Sequence, residues 1–181
     1  MISWHALASR PDYVELIGMV ALEVVDLEIR LANLFGHVVG VSQRIAQAIY
    51  FSPKAEQARM DVIRNATNAA FATSPLERGS VARQKREALA KVEDILERSE
   101  KLIRKRHRVI HDEWNISDKE KIVTRRLVGG ELKRPRVPVD KKELSEMIEQ
   151  LRELIDSVYA LSQEFKAHPP TMASMATSVR D

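Results

Sequence analysis

The sequence predicts an all-α protein: a helical bundle of about five helices, with one small β-hairpin before the last of them. Apolar residues recur at intervals of three and four over most of the chain, the signature of helices with one buried face. Aromatics are only 5% of the 181 residues against 44% apolar, which suits a core of Leu, Ile, Val, Ala and Met and argues against a β-sandwich. β-Branched runs flanking a turn occur only around Gly129 and Gly130. The length serves one domain with a real core and is short for two. A single domain is expected over residues 1–166, and the rest, 167–181, reads as a disordered tail without periodicity.

From Tyr13 to Phe35, residues Val14, Ile17, Val20, Ala21, Val24, Leu27, Leu31 and Leu34 mark a first helix, with Gly36 as its stop. A second helix is expected from Val39 to Tyr50, broken by Pro53; Ser52 fits an N-cap ahead of a proline at the first helical position. The third runs from Lys54 to about Ala72, and the turn "TSPLERGS" ends it. The fourth and longest, about Val81 to Trp114, carries the stripe Leu89, Val92, Ile95, Leu96, Leu102, Ile103, Val109, Ile110 and Trp114. The hairpin excursion covers about 119–138, with Pro135 and Pro138 restricting its second strand to an edge. Asp140, with Glu143 at the capping-box spacing, opens a last helix bearing Leu144, Ile148, Leu151, Leu154, Ile155, Val158, Leu161 and Phe165.

The absence of cysteine excludes disulfides, thiolate zinc sites and thiol catalysis. The N-terminus has no early basic cluster, and Glu15, Glu23 and Asp26 interrupt the apolar run after it, so neither a signal peptide nor a membrane span is expected. A cytoplasmic location is the default. The formal net charge is +3, but its distribution is uneven. Residues 1–77 hold six Lys or Arg against eight acids, 78–108 hold eleven against five, and 119–136 hold seven against two. A field of that sign either draws in a polyanion or belongs to a solvated helix face whose cations are offset by nearby acids.

Between the two basic segments lies "IRKRHRVIHDEW", Ile103 to Trp114. At about 100° per residue, Arg106 falls within the arc of Leu102, Ile103, Val109 and Ile110, and His111 lies about 140° away from it. A guanidinium on a buried face needs a partner. In one reading Arg106 pairs with an acid of a neighbouring helix, Glu23 or Glu28, and the histidines pack or cap. In a second, His107 and His111, at i and i+4, share a metal ion with Asp112 or Glu113, although five adjacent cations oppose it. In a third, His111 transfers protons and Arg106 stabilises charge developing on a phosphate. Trp114 closes the apolar stripe as a packing anchor. His5, His37 and His168 read as incidental, and "RRLVGGELKRPR" lacks the spacing of a phosphate loop.

Arg106-His107-Arg108-Val109-Ile110-His111 resembles the Arg-x4-His motif of the HEPN superfamily, whose usual form is Arg-Asn-xxx-His with His or Asp also found in second place. The context is similar too: a long helix ending in "HDEW", a helical hairpin before it, a basic hairpin after it, and a final helix opened by "VPVDKKEL". The resemblance spans roughly Ile17 to Phe165, and "VALEVVDLEIRLANLF" is similar to that group's first helix, with Glu28 the best match to its recurrent acid.

The resemblance implies a HEPN-like bundle acting as a metal-independent endoribonuclease, a toxin or defence component, with a composite site where two protomers meet. The 2'-hydroxyl would attack the adjacent phosphate, with His111 and Arg106 as the catalytic pair and His107 as the orienting residue. Glu28 and Glu23 would be supporting acids. Arg104, Lys105, Arg108, Arg125 and Arg126 would contact RNA. RNA or a nucleotide, a second copy of the chain and an antitoxin are the expected partners; no cofactor, metal or membrane is expected. The alternative on the same fold is a non-catalytic dimeric interaction or nucleotide-binding protein. Two departures stand out: His107 replaces the usual Asn, and Asp112 follows where relatives often have Gly. A carboxylate there raises the pKa of the neighbouring His or repels phosphate.

Overall fold

The computed structural model describes residues 7, 9–72, 79–111, 113–116, 122–128 and 131–168, with only the backbone at 111, 113, 115, 116, 122–128 and 131–138. The expected turn over 73–78, the Gly129-Gly130 turn, Asp112 and the tail from Pro169 lie outside the described residues. The fold is all-α, a helical bundle carrying one small antiparallel sheet. Its elements are α1 (Pro11–Val39), α2 (Gln43–Tyr50), α3 (Glu56–Ala70), α4 (Ser80–His111), β1 (Glu113–Ile116), β2 (Ile122–Val128), β3 (Glu131–Pro138) and α5 (Lys141–Ala167).

Helix α1 starts on Pro11, whose missing N–H is no loss in a first turn. It passes through Gly36, the expected stop, and ends one turn later. Gly40 adopts φ 71°, and the Val41 N–H donates to the Gly36 carbonyl at 3.0 Å, a Schellman closure. Gly36 serves packing instead, since a Cβ there would meet the Ala46 Cβ of α2 at 2.8 Å. Ser52 is not an N-cap either. Its hydroxyl turns back to the Ile49 carbonyl at 2.8 Å, and α3 begins at Glu56 after Ala55.

Helix α4 stops at His111, three residues short of the expected end, and Trp114 belongs to β1. Spacing alone fits Trp114 to the helix, one turn beyond Ile110. The fully buried indole instead donates from Nε1 to the Val109 carbonyl at 2.9 Å, so the chain reverses and satisfies one of the acceptors that a helix end leaves open. The sheet order is β1-β2-β3, all antiparallel, and β3 is an edge strand. Its register against β2 shifts between Thr124 and Arg126, opposite the stretch that contains Pro135. Helix α5 opens with the expected cap: the Glu143 N–H donates to Asp140 Oδ1 at 2.7 Å.

The chain divides into two compact units, Met1–Asp26 with Lys101–Glu153, and Leu27–Glu100 with Leu154–Asp181. In the first, Ile17, Val20 and Val24 are buried, as are Leu102, Ile103, Val109, Trp114, Leu144, Ile148 and Leu151. Tyr13 meets Trp114 edge to face at 6.3 Å between centroids. In the second, Leu27, Leu31, Leu34, Tyr50, Ile63, Val92, Leu96, Leu154, Val158 and Phe165 are buried. There Arg64 joins α3 to α4, reaching Asp61, Glu93 and Glu100 at 2.8, 3.1 and 2.9 Å. Val14, expected in the core, is exposed, and with Leu22 and Val25 it leaves an apolar stripe on α1. Among the described residues no helix is long and apolar enough to cross a membrane.

Candidate functional site

The last three turns of α4 hold the motif in the first unit. Leu102, Ile103 and Val109 are buried and fix the face of the helix that looks into the core. Arg104, Lys105, His107 and Arg108 are exposed on the other side. Arg106 is intermediate: the residue as a whole is half-buried, and its Nε is shielded from solvent. That is the placement the helical arithmetic predicts for position 106, at the border of the apolar arc.

His111 is the final residue of α4, and only its backbone is described. Its place in the helix is nonetheless defined, because the Trp114 indole anchors the carbonyl of Val109 in the same final turn. Arg125 and Arg126 lie on β2, also described by backbone alone, and Glu113 of β1 pairs with Arg125 in register. Through that register the β2 arginines fall two strand residues from the end of α4.

The acids named as supports have partners. Glu23, in the first unit, accepts from Arg152 Nε at 2.8 Å. Glu28 falls in the second unit, where Arg59 Nη1 binds it. Both carboxylates therefore sit in ion pairs with arginines outside the motif.

Beside the motif, Lys105, Arg108 and Val109 face Val139, Glu143, Leu144, Glu146 and Met147 across a small cavity of about 50 Å³. That is room for one or two waters at about 30 Å³ each, not for a nucleotide. Glu143 and Glu146 on the α5 side offset the two cations, so the basic character of this helix end is carried by its more open surface. Among the described residues no group of three His, Asp or Glu is placed to hold a metal ion.

The sequence reading passed over His37. In the second unit, Arg30, Asn33 and His37 of α1 and Tyr159, Ser162 and Lys166 of α5 line one cavity of about 240 Å³. Burial, reinforced by the positive charge of Lys166, holds the His37 imidazole below its ordinary pKa. The signal was present in the spacing. Each helix contributes polar residues at i, i+3 and i+7 inside an otherwise apolar pattern, which puts them on one face.

Compared with protein-family models, with characterised proteins and with solved structures, the chain finds no match in any of the three.

Proposed function

We propose that the protein is a HEPN-like, metal-independent endoribonuclease that works as a homodimer, with Arg106 and His111 of each protomer contributing to one composite site. The observation that carries this reading is the continuity of α4 to His111. Arg106 and His111 stand on one regular helix, with Arg106 half-buried beside the exposed Arg104, Lys105, His107 and Arg108. The exposed cations give RNA phosphates a counter-charge, and the partly shielded guanidinium offers a fixed fork of donors in a less polar setting.

In the proposed reaction His111 takes the proton of the ribose 2'-hydroxyl, and the freed oxygen attacks the adjacent phosphorus. The bond from phosphorus to the 5'-oxygen breaks, leaving a 2',3'-cyclic phosphate, and the partner protomer's copy of the same histidine protonates the leaving oxygen. Arg106 stabilises the charge on the phosphate oxygens, and His107 orients the substrate. A role as the toxin-like half of a defence or stress module, held by an antitoxin, belongs to the same reading.

Structured RNA incubated with the purified chain in EDTA tests it. Cleavage leaving cyclic-phosphate ends, reduced about 100-fold or more in His111→Ala and Arg106→Ala, is the expected result. Equal cleavage by all three proteins, or none by the wild type, overturns it. One observation favours the non-catalytic alternative: the exposed stripe of Val14, Leu22 and Val25 on α1 is the kind of surface an interaction protein presents. An inert wild type whose self-association is lost in Leu22→Arg would support that second reading.

A further inference from the structure

The cavity in the second unit is walled by Arg30, His37 and Lys166 and has no carboxylate among its lining residues. Asn33, Gln43 and Gln163 add neutral amide groups. Its floor is defined by the close approach of α2 to α1, which only a glycine at position 36 permits. A volume of about 240 Å³ equals about eight waters at about 30 Å³ each, more than a bare phosphate needs.

Ser162 supplies the second, independent observation. It lines the cavity, is 5% exposed, and its buried Oγ has no hydrogen-bond partner. Elsewhere in this unit a buried hydroxyl inside a helix is satisfied by the carbonyl one turn back: Thr67 donates to Ile63 at 2.8 Å, and Ser99 to Ile95 at 2.7 Å. Ser162 makes no such bond. A buried hydroxyl held open in this way is poised for an acceptor that enters the cavity.

We propose that this cavity binds a small phosphomonoester, its phosphate taking hydrogen bonds from Ser162, Lys166, Arg30 and His37 and its carbon portion resting against Val41 and Tyr159. Three basic side chains without an acid match a dianion better than a carboxylate, and the donors outnumber what two carboxylate oxygens accept. The Arg30 guanidinium lies 5.4 Å from the centroid of the Tyr159 ring, which steadies it at the cavity wall. The depressed His37 pKa fits an empty basic cavity, because an anion beside the ring favours its protonated form. None of these residues belongs to the α4 motif, so the inference stands apart from the nuclease reading.

Calorimetric titration of glycerol 3-phosphate, inorganic phosphate and glycerol into the full chain at fixed ionic strength tests the proposal, with the His37 imidazole followed by NMR. Saturable one-to-one binding of glycerol 3-phosphate, tighter than that of inorganic phosphate and absent for glycerol, is expected. Ser162→Ala and Lys166→Ala should each weaken it about tenfold, Arg106→Ala should leave it unchanged, and the pKa of His37 should rise on saturation. No saturable heat overturns the proposal, as does binding that both variants retain. Inorganic phosphate binding as tightly as the ester overturns the assignment of the carbon subsite.

Discussion

Replacing Trp114 with phenylalanine tests whether the end of α4 is held by one side-chain hydrogen bond. The indole is fully buried and its Nε1 lies 2.9 Å from the Val109 carbonyl. Phenylalanine keeps most of the apolar contact and the aromatic face against Tyr13, but it leaves that carbonyl without its donor. An orphaned buried acceptor costs about 1–3 kcal/mol. Trp114→Ala adds loss of packing and of the edge-to-face pair with Tyr13, and should cost about 3–5 kcal/mol. Urea denaturation followed by far-ultraviolet circular dichroism gives both values. Amide hydrogen exchange should also quicken selectively in the last turn of α4 in Trp114→Phe, because that turn loses its anchor. A Trp114→Phe protein within about 0.5 kcal/mol of the wild type, with unchanged exchange, would refute the claim that the indole terminates the helix.

Gly36→Ala should destabilise the protein by about 1–3 kcal/mol in the same assay, since its Cβ would sit 2.8 Å from that of Ala46, and Ala46→Gly should restore part of the loss. Tyr50→Phe should leave stability unchanged or raise it by up to about 1 kcal/mol, because the buried Tyr50 hydroxyl has no hydrogen-bond partner. Burial also pushes the Tyr50 phenol above its usual range, so an unfolded chain releases that proton from about pH 10 while the native one retains it. Native stability therefore falls as pH climbs past about 10, and Tyr50→Phe should flatten that alkaline limb in denaturation curves taken across the range. At the acid end, hydrogen bonds from Arg10 and then Lys141 hold the Asp12 carboxyl below its usual range. That contribution is present above about pH 3.9 and is lost as pH falls further, so Asp12→Asn should show a shallower acid limb.

Features set by local chemistry were legible in the sequence. The Asp140 cap, the apolar faces of α4 and α5 and the half-buried position of Arg106 follow from spacing and from the hydrogen-bonding habits of single residues. Choices between two locally acceptable answers were not. Gly36 and Gly40 both read as helix stops, and what selects Gly40 is the close fit of α2 against Gly36, a contact with Ala46 ten residues on. Trp114 matched the helical period of α4, yet a buried indole in need of an acceptor pulled it into a strand. At the candidate site, the wheel located Arg106 but could not show that Glu23 and Glu28 are engaged by Arg152 and Arg59. The cavity around His37 needed residues some 120 positions apart, Arg30 with Tyr159 through Lys166, so no local window on the histidine could reveal it.

The first compact unit joins residues 1–26 to residues 101–153. As the chain leaves the ribosome, Ile17, Val20 and Val24 emerge roughly one hundred residues before Leu144, Ile148 and Leu151 of the same unit. The second unit likewise waits for residue 154 onward. Neither unit can be completed until most of α5 has been made, so synthesis halted before α5 leaves an apolar α1 uncovered and prone to aggregate. For the same reason, no single cut of the chain yields either unit intact. Studies that isolate one unit will need a circular permutant or two co-expressed fragments.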